Sequence, residues 1–381
     1  MSPPQDYTSP TTVVINRVLM ANLEIQETTG HTEQCTTVEA FLAALHPSPE
    51  HHNYFFADVH PDPDSPINFS QLPQGEFGLP LIPATGPESD NLLTADYHAF
   101  LLCGASVQAY PDQLSASLVV DANYLPAPTT LAEDVPDATY DLVHSMIDLA
   151  ETIARNLGRS QVTSWCYLGN GDNPFANFWS RAWSDHGYIV AHREDQYLVE
   201  MSENSSELVS PADLAGIKVH CYDEAGCPDY LLPALCQLLD IAERDIPTGD
   251  LGLSDTAWTS DRVRSEEKSA RDGNYRSINV LLTNEQNQPV ALSQISQHHS
   301  DMPEVASQVL TVVMPEWRRN GIGTAVKRIA WHQVRELWPQ VRSIGTSMAP
   351  DNSGMLAINN GLGMTRVSRS CCWMKDLKAV S

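Results

Sequence analysis

The residues best suited to do chemistry lie in residues 311–328, which read TVVMPEWRRNGIGTAVKR. A β-branched strand ends at Met314-Pro315, and an Arg-Arg-Asn-Gly-Ile-Gly loop then opens an amphipathic helix. Gly321 and Gly323 would allow consecutive backbone N–H groups to point at one place, where the helix N-terminus adds partial positive charge. The pattern therefore predicts a loop that binds phosphate or pyrophosphate.

Basic side chains are concentrated around this loop in an otherwise acidic chain. They are Arg318, Arg319, Lys327, Arg328, Arg335 and Arg342. We expect them to place positive charge beside a bound phosphate.

Two other phosphate-binding loops do not fit the spacing. A Walker loop needs Gly-Lys-Ser/Thr, whereas Gly323 is followed by Thr324. A dinucleotide fingerprint needs a third small residue where this chain has Val326, and an acidic residue about 20 positions later. Both alternatives are therefore excluded.

The remaining pattern, Arg318-x-x-Gly321-x-Gly323 after a strand, resembles the pyrophosphate-binding signature of the GNAT superfamily of acyl-CoA-dependent N-acyltransferases. Residues 351–364, DNSGMLAINNGLGM, look like the late helix of that family, which usually reads Asn…Tyr/Asn…Leu-Gly-Phe. The resemblance covers about residues 217–376. More closely, the chain looks like the tandem GNAT proteins common in actinobacteria, in which the N-terminal copy is often degenerate.

The resemblance implies a set of contacts with acetyl-CoA or another acyl-CoA. The backbone of Val312 and Val313 would pair with the pantetheine arm, and Asn352 and Asn359 would face that arm. The pyrophosphate would be held by the backbone N–H groups of the loop, which are those of Arg318, Arg319, Asn320, Gly321, Ile322, Gly323 and Thr324.

The catalytic groups are less clear than the cofactor contacts. Family members let a neutral amine attack the thioester directly, and many use a tyrosine of the late helix as general acid, where this chain has Asn359. Since a thiol has a pKa of about 8.5, the thiolate can leave near neutral pH without that acid. Glu304, His298 and His299 precede the cofactor-binding strand and are the candidates for a general base.

Elements in the second half follow from periodicity and turn residues. We predict strands at 217–222, 275–282, 290–297, 308–313 and 342–348, helices near 229–244, 255–271, 321–337 and 352–360, and a final strand pair in 364–376. The fold class is therefore α/β (α+β), with two GNAT-like domains, each a mixed, mostly antiparallel sheet flanked by helices.

The domain boundary is placed in a polar segment. We expect a degenerate GNAT-like domain over 1–203, a linker over 204–216 and the N-acyltransferase domain over 217–381. A weak repeat, in which residues 162–174 align with 341–353, supports duplication. In the first half, a helix is predicted from about Ala138 to Leu157 with Asp137 as its N-cap. The loop before it lacks glycine and basic residues, so we expect no phosphate site there.

Charge and cysteine content limit the partners. Lys+Arg number 5 against 29 Asp+Glu in residues 1–215, and 17 against 19 in residues 216–381. This acid excess argues against nucleic acid and anionic membranes, and the acidic half favours a cationic amine as the acceptor. The 8 cysteines show neither a disulfide framework nor a Cys-x-x-Cys pair, so we expect no metal. A cytoplasmic protein is expected, because the sequence has no long apolar run and no signal-peptide pattern.

Two functions stay open at this point. The chain is either an N-acetyltransferase acting on a small-molecule amine, or a non-catalytic acyl-CoA-binding regulator or scaffold. The intact phosphate loop and both asparagines favour the enzyme, whereas Asn359 in place of tyrosine and the lack of a phosphate loop in the first domain favour the second.

Overall fold

The computed structural model describes residues 10–32, 34–47, 51–60, 71–86, 95–106, 110–125, 134–168, 177–201, 214–252, 257–299 and 302–377. The chain forms two compact units. The first unit contains residues 1–193 and 368–381, and the second unit contains residues 194–367. Most of the expected linker, 204–216, lies outside the described residues.

The elements are numbered in chain order. They are α1 (Thr12–Thr29), α2 (Val38–Ala44), β1 (His51–His60), β2 (Asp96–Ser106), β3 (Gln113–Val120), α3 (Asp137–Asn156), β4 (Gln161–Tyr167), α4 (Phe178–Asp185), β5 (Ile189–Glu200), β6 (Ile217–Asp223), α5 (Leu232–Asp245), α6 (Ser260–Asp272), β7 (Tyr275–Asn284), β8 (Pro289–His298), β9 (Val305–Val313), α7 (Ile322–Leu337), β10 (Ser343–Met348), α8 (Ser353–Gly361) and β11 (Thr365–Asp376).

The sheet of the first unit has the order β1-β2-β3-β4-β11. Its strand pairs are antiparallel except for β3 and β4, which run parallel. One face packs against α1 and α2 through residues such as Val14, Phe41 and Phe100. The other face packs against α3 and α4 through residues such as Ile147 and Trp183. Helices therefore cover both faces of this sheet.

The sheet of the second unit has the order β5-β10-β9-β8-β7-β6, with a parallel pair only between β9 and β10. The apolar stripe of α7, which includes Val326, Ala330 and Val334, covers one face. The stripe of α5, which includes Leu235 and Leu238, covers the other face. This agrees with the predicted fold class, a mixed and mostly antiparallel sheet flanked by helices.

Each unit completes its sheet with a segment from the other half of the sequence. Residues 195–200 of β5 pair with β10 in the second unit. Residues 370–376 of β11 pair with β4 in the first unit. Residues 368–377 therefore belong to the first unit, whereas the predicted boundary placed them in the second domain.

Three local predictions are corrected by the structure. Residues 365–376 form one strand and not a strand pair, because no Gly, Pro or Asn interrupts them. The N-cap of α3 is Pro136, and Asp137 is the first helical residue. The alternation of side chains along a strand predicts one buried and one exposed residue at Cys371 and Cys372, but both are buried, because both faces of this sheet are covered.

No helix in the described part of the chain combines the length and the apolar character that crossing a bilayer requires.

Candidate functional site

A fork opens between the two parallel strands of the second unit. β9 and β10 pair only over residues 305–307 and 343–345. Beyond that point, β9 keeps β8 as its partner as far as Val313, and β10 keeps β5 as its partner as far as Met348. The edge of β9 that faces the fork therefore has backbone groups available for an extended ligand.

Gln308 lies at the base of the fork and is buried. Its side-chain nitrogen lies within hydrogen-bond distance of Ser293 Oγ (3.1 Å), Gln294 O (2.8 Å) and Leu310 O (2.9 Å). Its side-chain oxygen accepts from Trp331 Nε1 (3.2 Å), and its backbone oxygen accepts from Thr346 Oγ1 (3.1 Å). The register of β8 and β9 shifts here, which leaves Val309 as the extra residue of a bulge. Gln308 was not predicted as a functional residue, because a single glutamine in a strand forms no periodic pattern.

The predicted phosphate loop follows directly from the end of β9. A 3-10 turn over Pro315–Trp317 leads into two residues with left-handed backbone, Arg319 (φ 64°) and Gly321 (φ 76°), and α7 then begins. The N–H of Arg318 donates to Pro315 O (3.3 Å). From Arg319 to Thr324, no backbone N–H donates to a backbone carbonyl within the described ranges. These donors lie at a helix N-terminus, an arrangement that can bind an anion, and they begin one residue later than predicted; residues 319–324 are called the anion cradle below.

Gly323 has a different role from Gly321. Its backbone is ordinary helix, but a Cβ there would lie 2.6 Å from Ile358 Cδ1 and 3.5 Å from Val313 Cγ2. A side chain at position 323 would therefore displace the Ile358 side chain of α8, whereas Gly321 is favoured for its positive φ. Both glycines were predicted from the motif, but the two reasons were not.

The arginines at the cradle are used in two ways. The side chain of Arg318 is engaged within the protein, because its Nε donates to Val313 O (2.9 Å) and its guanidinium pairs with Asp245. Arg319 is exposed, and Arg328 is partly exposed. Neither Arg319 nor Arg328 has an ion-pair partner among the residues that the structure describes. They leave positive charge beside the cradle.

Lys327 does not contribute to that positive surface, which corrects the sequence-based expectation. Its side chain is 1% exposed, and its Nζ donates to Asn359 Oδ1 at 2.7 Å. The Asn359 amide lies 3.5 Å from Met348 Sδ and is also buried. Because burial disfavours the ammonium form, the pKa of Lys327 is lowered to about 7. In contrast, Asn352 caps α8, where its Oδ1 accepts from Met355 N (3.2 Å).

The candidate bases lie at the other end of β9 from the cradle. Glu304 is exposed, and its backbone oxygen accepts from the N–H groups of Arg342 and Ser343. His298 is buried at the end of β8, with its ring 4.9 Å from that of Tyr275. The structure brings Glu304 and His298 to one end of the sheet. At the rise of a strand, Glu304 lies about 30 Å from Val313, and His298 lies about 23 Å from Ala291, which pairs with Val313.

The first unit has a corresponding fork that side chains fill. β3 and β4 pair in parallel only over 113–115 and 161–163. Beyond this pairing, Trp179 of α4 donates a hydrogen bond to Glu24 of α1, and buried Arg17 lies on the same helix face. A cavity of only about 100 Å³ remains. Phe178, Trp179 and Trp183 of α4 pack in the core of their own unit, whereas Phe175 and the loop over 126–133 lie outside the described residues.

Comparison with known proteins gives a consistent answer at the level of fold. No protein-family model matches the chain, and no curated protein matches its sequence. A tandem GNAT protein from the clavulanic acid biosynthesis pathway has a TM-score of 0.66 at 15% identity, over 97% of this chain and 96% of that chain. A GCN5-related N-acetyltransferase from Sphaerobacter thermophilus has a TM-score of 0.57 at 15% identity, over 97% and 95%.

A third similar structure is a region of a much longer protein. It is the GCN5-related glucosamine N-acetyltransferase region of a fungal multi-domain GH3 β-N-acetylglucosaminidase, with a TM-score of 0.54 at 9% identity, over 95% of this chain and 37% of that chain. The predicted element order, the two forks and these three similarities agree. The chain therefore has the fold of the tandem GNAT proteins over nearly its whole length.

Proposed function

We propose that the chain is an N-acyltransferase that moves an acetyl or other acyl group from acyl-CoA to an amine of a small molecule, with the acyl-CoA bound in the second unit. The observation that carries this proposal is the row of free N–H groups from Arg319 to Thr324 at the N-terminus of α7. The row lies where β9 ends and the fork between β9 and β10 is open.

The cofactor contacts follow from this placement. The pyrophosphate takes the N–H groups of the cradle, and Arg319 and Arg328 balance its charge. The pantetheine arm extends along the open edge of β9, beside Val312 and Val313. Asn352 and Asn359 stand on α8, and Asn359 would exchange one of its internal contacts to reach the arm.

The chemistry is a direct transfer. The amine nitrogen forms a bond to the thioester carbonyl carbon, the C–S bond breaks, and the amine proton passes to a base or to water. The CoA thiolate can leave without a general acid near neutral pH, since its pKa is about 8.5. Glu304 and His298 remain the proposed bases, to be tested by Glu304→Gln and His298→Ala.

The acceptor is proposed to be cationic, because the first 215 residues carry 29 acidic against 5 basic side chains. An acidic surface raises the association rate of a cation, and salt screens this attraction. Initial rates with matched cationic and neutral amines at low and high salt test this part. Equal rates that do not respond to salt would contradict it.

The reaction itself is tested by thiol release from acetyl-CoA with a broad panel of amines. We expect turnover with at least one amine, and its loss in Gly321→Glu, which puts a carboxylate into the anion cradle. Binding of acetyl-CoA without turnover on any amine would favour the non-catalytic regulator or scaffold. That alternative is supported by Asn359, which lies buried against Lys327 where many family members place a tyrosine.

A further inference from the structure

A β-bulge in the first unit brings three potential metal ligands together. Along the pair of β1 and β2, Asp58 lies opposite Ala99, and Val59 lies opposite Tyr97. His98 is therefore the extra residue of the bulge. Bulges re-aim single side chains, and they occur often beside functional sites.

The bulge turns His98 toward the face that Asp58 and His60 share. Asp58 and His60 are two positions apart on β1, so their side chains point to the same face. His98 Nδ1 lies 3.3 Å from Asp58 Oδ1. The rings of His60 and His98 stack with centroids 4.3 Å apart, and one potential ligand atom from each of the three residues lies within 4.8 Å of the others.

A second carboxylate, that of Asp96, fixes the ring orientation of His98 through the other ring nitrogen. His98 Nε2 lies 3.2 Å from Asp96 Oδ2, and that same oxygen accepts from Tyr124 OH at 2.7 Å. A carboxylate that holds one ring nitrogen of a histidine leaves the other nitrogen as a metal ligand, and this arrangement is usual around metal-binding histidines.

In this arrangement, Asp58 and His98 face each other with two hydrogen-bond acceptors. With its Nε2 proton directed to Asp96, a neutral His98 turns the lone pair of Nδ1 toward a carboxylate oxygen. Asp58 Oδ1 is buried and accepts no hydrogen bond from any residue that the structure describes. Two facing acceptors at 3.3 Å repel each other, and a cation bound between them would remove this repulsion.

We propose that Asp58, His60 and His98 bind one divalent first-row transition-metal ion of the Zn²⁺ type. An ion at this position would also reach His60, whose ring stacks on that of His98, as a third ligand. Two imidazoles and a carboxylate suit Zn²⁺ and Co²⁺ and leave a coordination position open. This site revises the expectation of no metal, which considered only the cysteines.

The surroundings give the ion access. His60 is exposed, and the side chain of Asp58 is 34% exposed, so an ion can enter without unfolding. Asp58 also lines a cavity of about 690 Å³ whose walls include Tyr54, Phe56 and Met146. A ligand on the open position of the ion would therefore have apolar surface beside it.

The test uses the full chain after removal of metal with a chelator. Zn²⁺ binding is measured by calorimetry, and Co²⁺ binding by its visible absorption, which reports imidazole coordination independently of any enzymatic activity. The variants are His60→Ala, His98→Ala and Asp96→Asn. The matched control is His51→Ala, which removes an exposed histidine from the opposite face of the same strand.

We expect one Zn²⁺ per chain in the wild type and in His51→Ala, with proton release on binding that grows as the pH falls. Affinity should fall at least about ten-fold in His60→Ala and in Asp96→Asn. His60→Ala removes an exposed side chain, so a loss of binding there does not reflect misfolding. No Zn²⁺ binding, or binding of equal affinity in His60→Ala and the control, would overturn the proposal.

Discussion

Lys327 Nζ donates a 2.7 Å hydrogen bond to Asn359 Oδ1, and neither side chain reaches the surface. The pair joins the helix that begins at the anion cradle to the helix that carries the late asparagines. A buried lysine with an amide as its hydrogen-bond partner has no counter-charge, so its neutral form is favoured. This explains why the pKa of Lys327 falls to about 7.

The lowered pKa of Lys327 predicts a pH-dependent contribution to stability. Between about pH 7 and pH 10.4, the unfolded chain holds this proton and the folded chain does not. The contribution of Lys327 to the free energy of unfolding therefore rises with pH, by at most about 1.4 kcal/mol per pH unit. Lys327→Met should abolish this rise. Urea unfolding at pH 7, 8 and 9 measures the difference, and parallel curves for the two proteins would contradict it.

A double variant separates the titration of Lys327 from the loss of its hydrogen bond to Asn359. Lys327→Met leaves Asn359 Oδ1 buried without its donor, which costs about 1–3 kcal/mol at every pH. Lys327→Met/Asn359→Leu removes both partners and should recover most of that offset. The pH slope of the double variant should equal that of the single variant.

The close approach of Gly323 to Ile358 predicts a non-additive pair of substitutions. Gly323→Ala gains about 1 kcal/mol of helix propensity but puts a methyl group 2.6 Å from Ile358 Cδ1. Overpacking of this kind costs about 1–3 kcal/mol. We expect Gly323→Ala to destabilise the wild type but to cost less when Ile358→Val has removed the Cδ1 methyl. Gly354→Ala on α8, where no atom lies within 4 Å of the new Cβ, is the control and should be neutral or stabilising. Chemical denaturation measures the free energies of unfolding. If the effects of Gly323→Ala and Ile358→Val on that free energy add, the contact between the two positions is contradicted.

Glu24 in the first unit predicts a pH dependence of the opposite sign. Burial raises the pKa of Glu24 to about 7, against the opposing effects of Trp179 and Arg17. Between about pH 4.3 and pH 7, the folded chain holds this proton and the unfolded chain has lost it, so stability falls as the pH rises. Glu24→Gln should remove this loss and keep an oxygen acceptor for Trp179. Glu27→Gln, exposed on the same helix, controls for net charge, and an equal effect in both variants would argue against the prediction.

Glu151 on α3 pairs with Lys375 of β11 within the first unit. It is 4% exposed and accepts from Lys375 Nζ on β11 (2.6 Å) and from Arg155 (2.9 Å). Glu151→Ala should lower the free energy of unfolding by about 1–3 kcal/mol, because both donors lose a charged partner. Asp141→Ala, exposed on the same helix, should change it by less than about 0.5 kcal/mol. Thermal unfolding compares them, and equal midpoints would contradict the role of Glu151.

Local motifs predicted a strand-to-helix loop with free backbone N–H groups at residues 319–324, and the element order predicted the fold. Gly321 could be found because it belongs to a glycine motif at a strand-to-helix loop, where its positive φ favours glycine, although Arg319 in the same loop also adopts a positive φ. Lys327 could not be placed, since a lysine one helical turn after a phosphate loop reads as surface charge, and only packing against α8 shows it buried. Gln308 and the bulge at His98 depend on strand register, which a single sequence does not encode locally.

The measurement that tests the central claim most directly is a calorimetric titration of the full chain with acetyl-CoA at moderate salt. It compares wild type, Gly321→Glu and Gly363→Glu. The two glycines have φ of 76° and 78°, and no atom lies within 4 Å of a Cβ at either, so both glutamates impose the same backbone strain. Only Gly321→Glu puts its carboxylate in the anion cradle.

We predict one acetyl-CoA per chain in the wild type and in Gly363→Glu, and no binding in Gly321→Glu, because the carboxylate repels the pyrophosphate. Two sites per chain would mean that the first unit also binds acyl-CoA. Equal binding in the two glutamate variants, or no binding by the wild type to acetyl-CoA, longer acyl-CoAs and free CoA, would contradict the account.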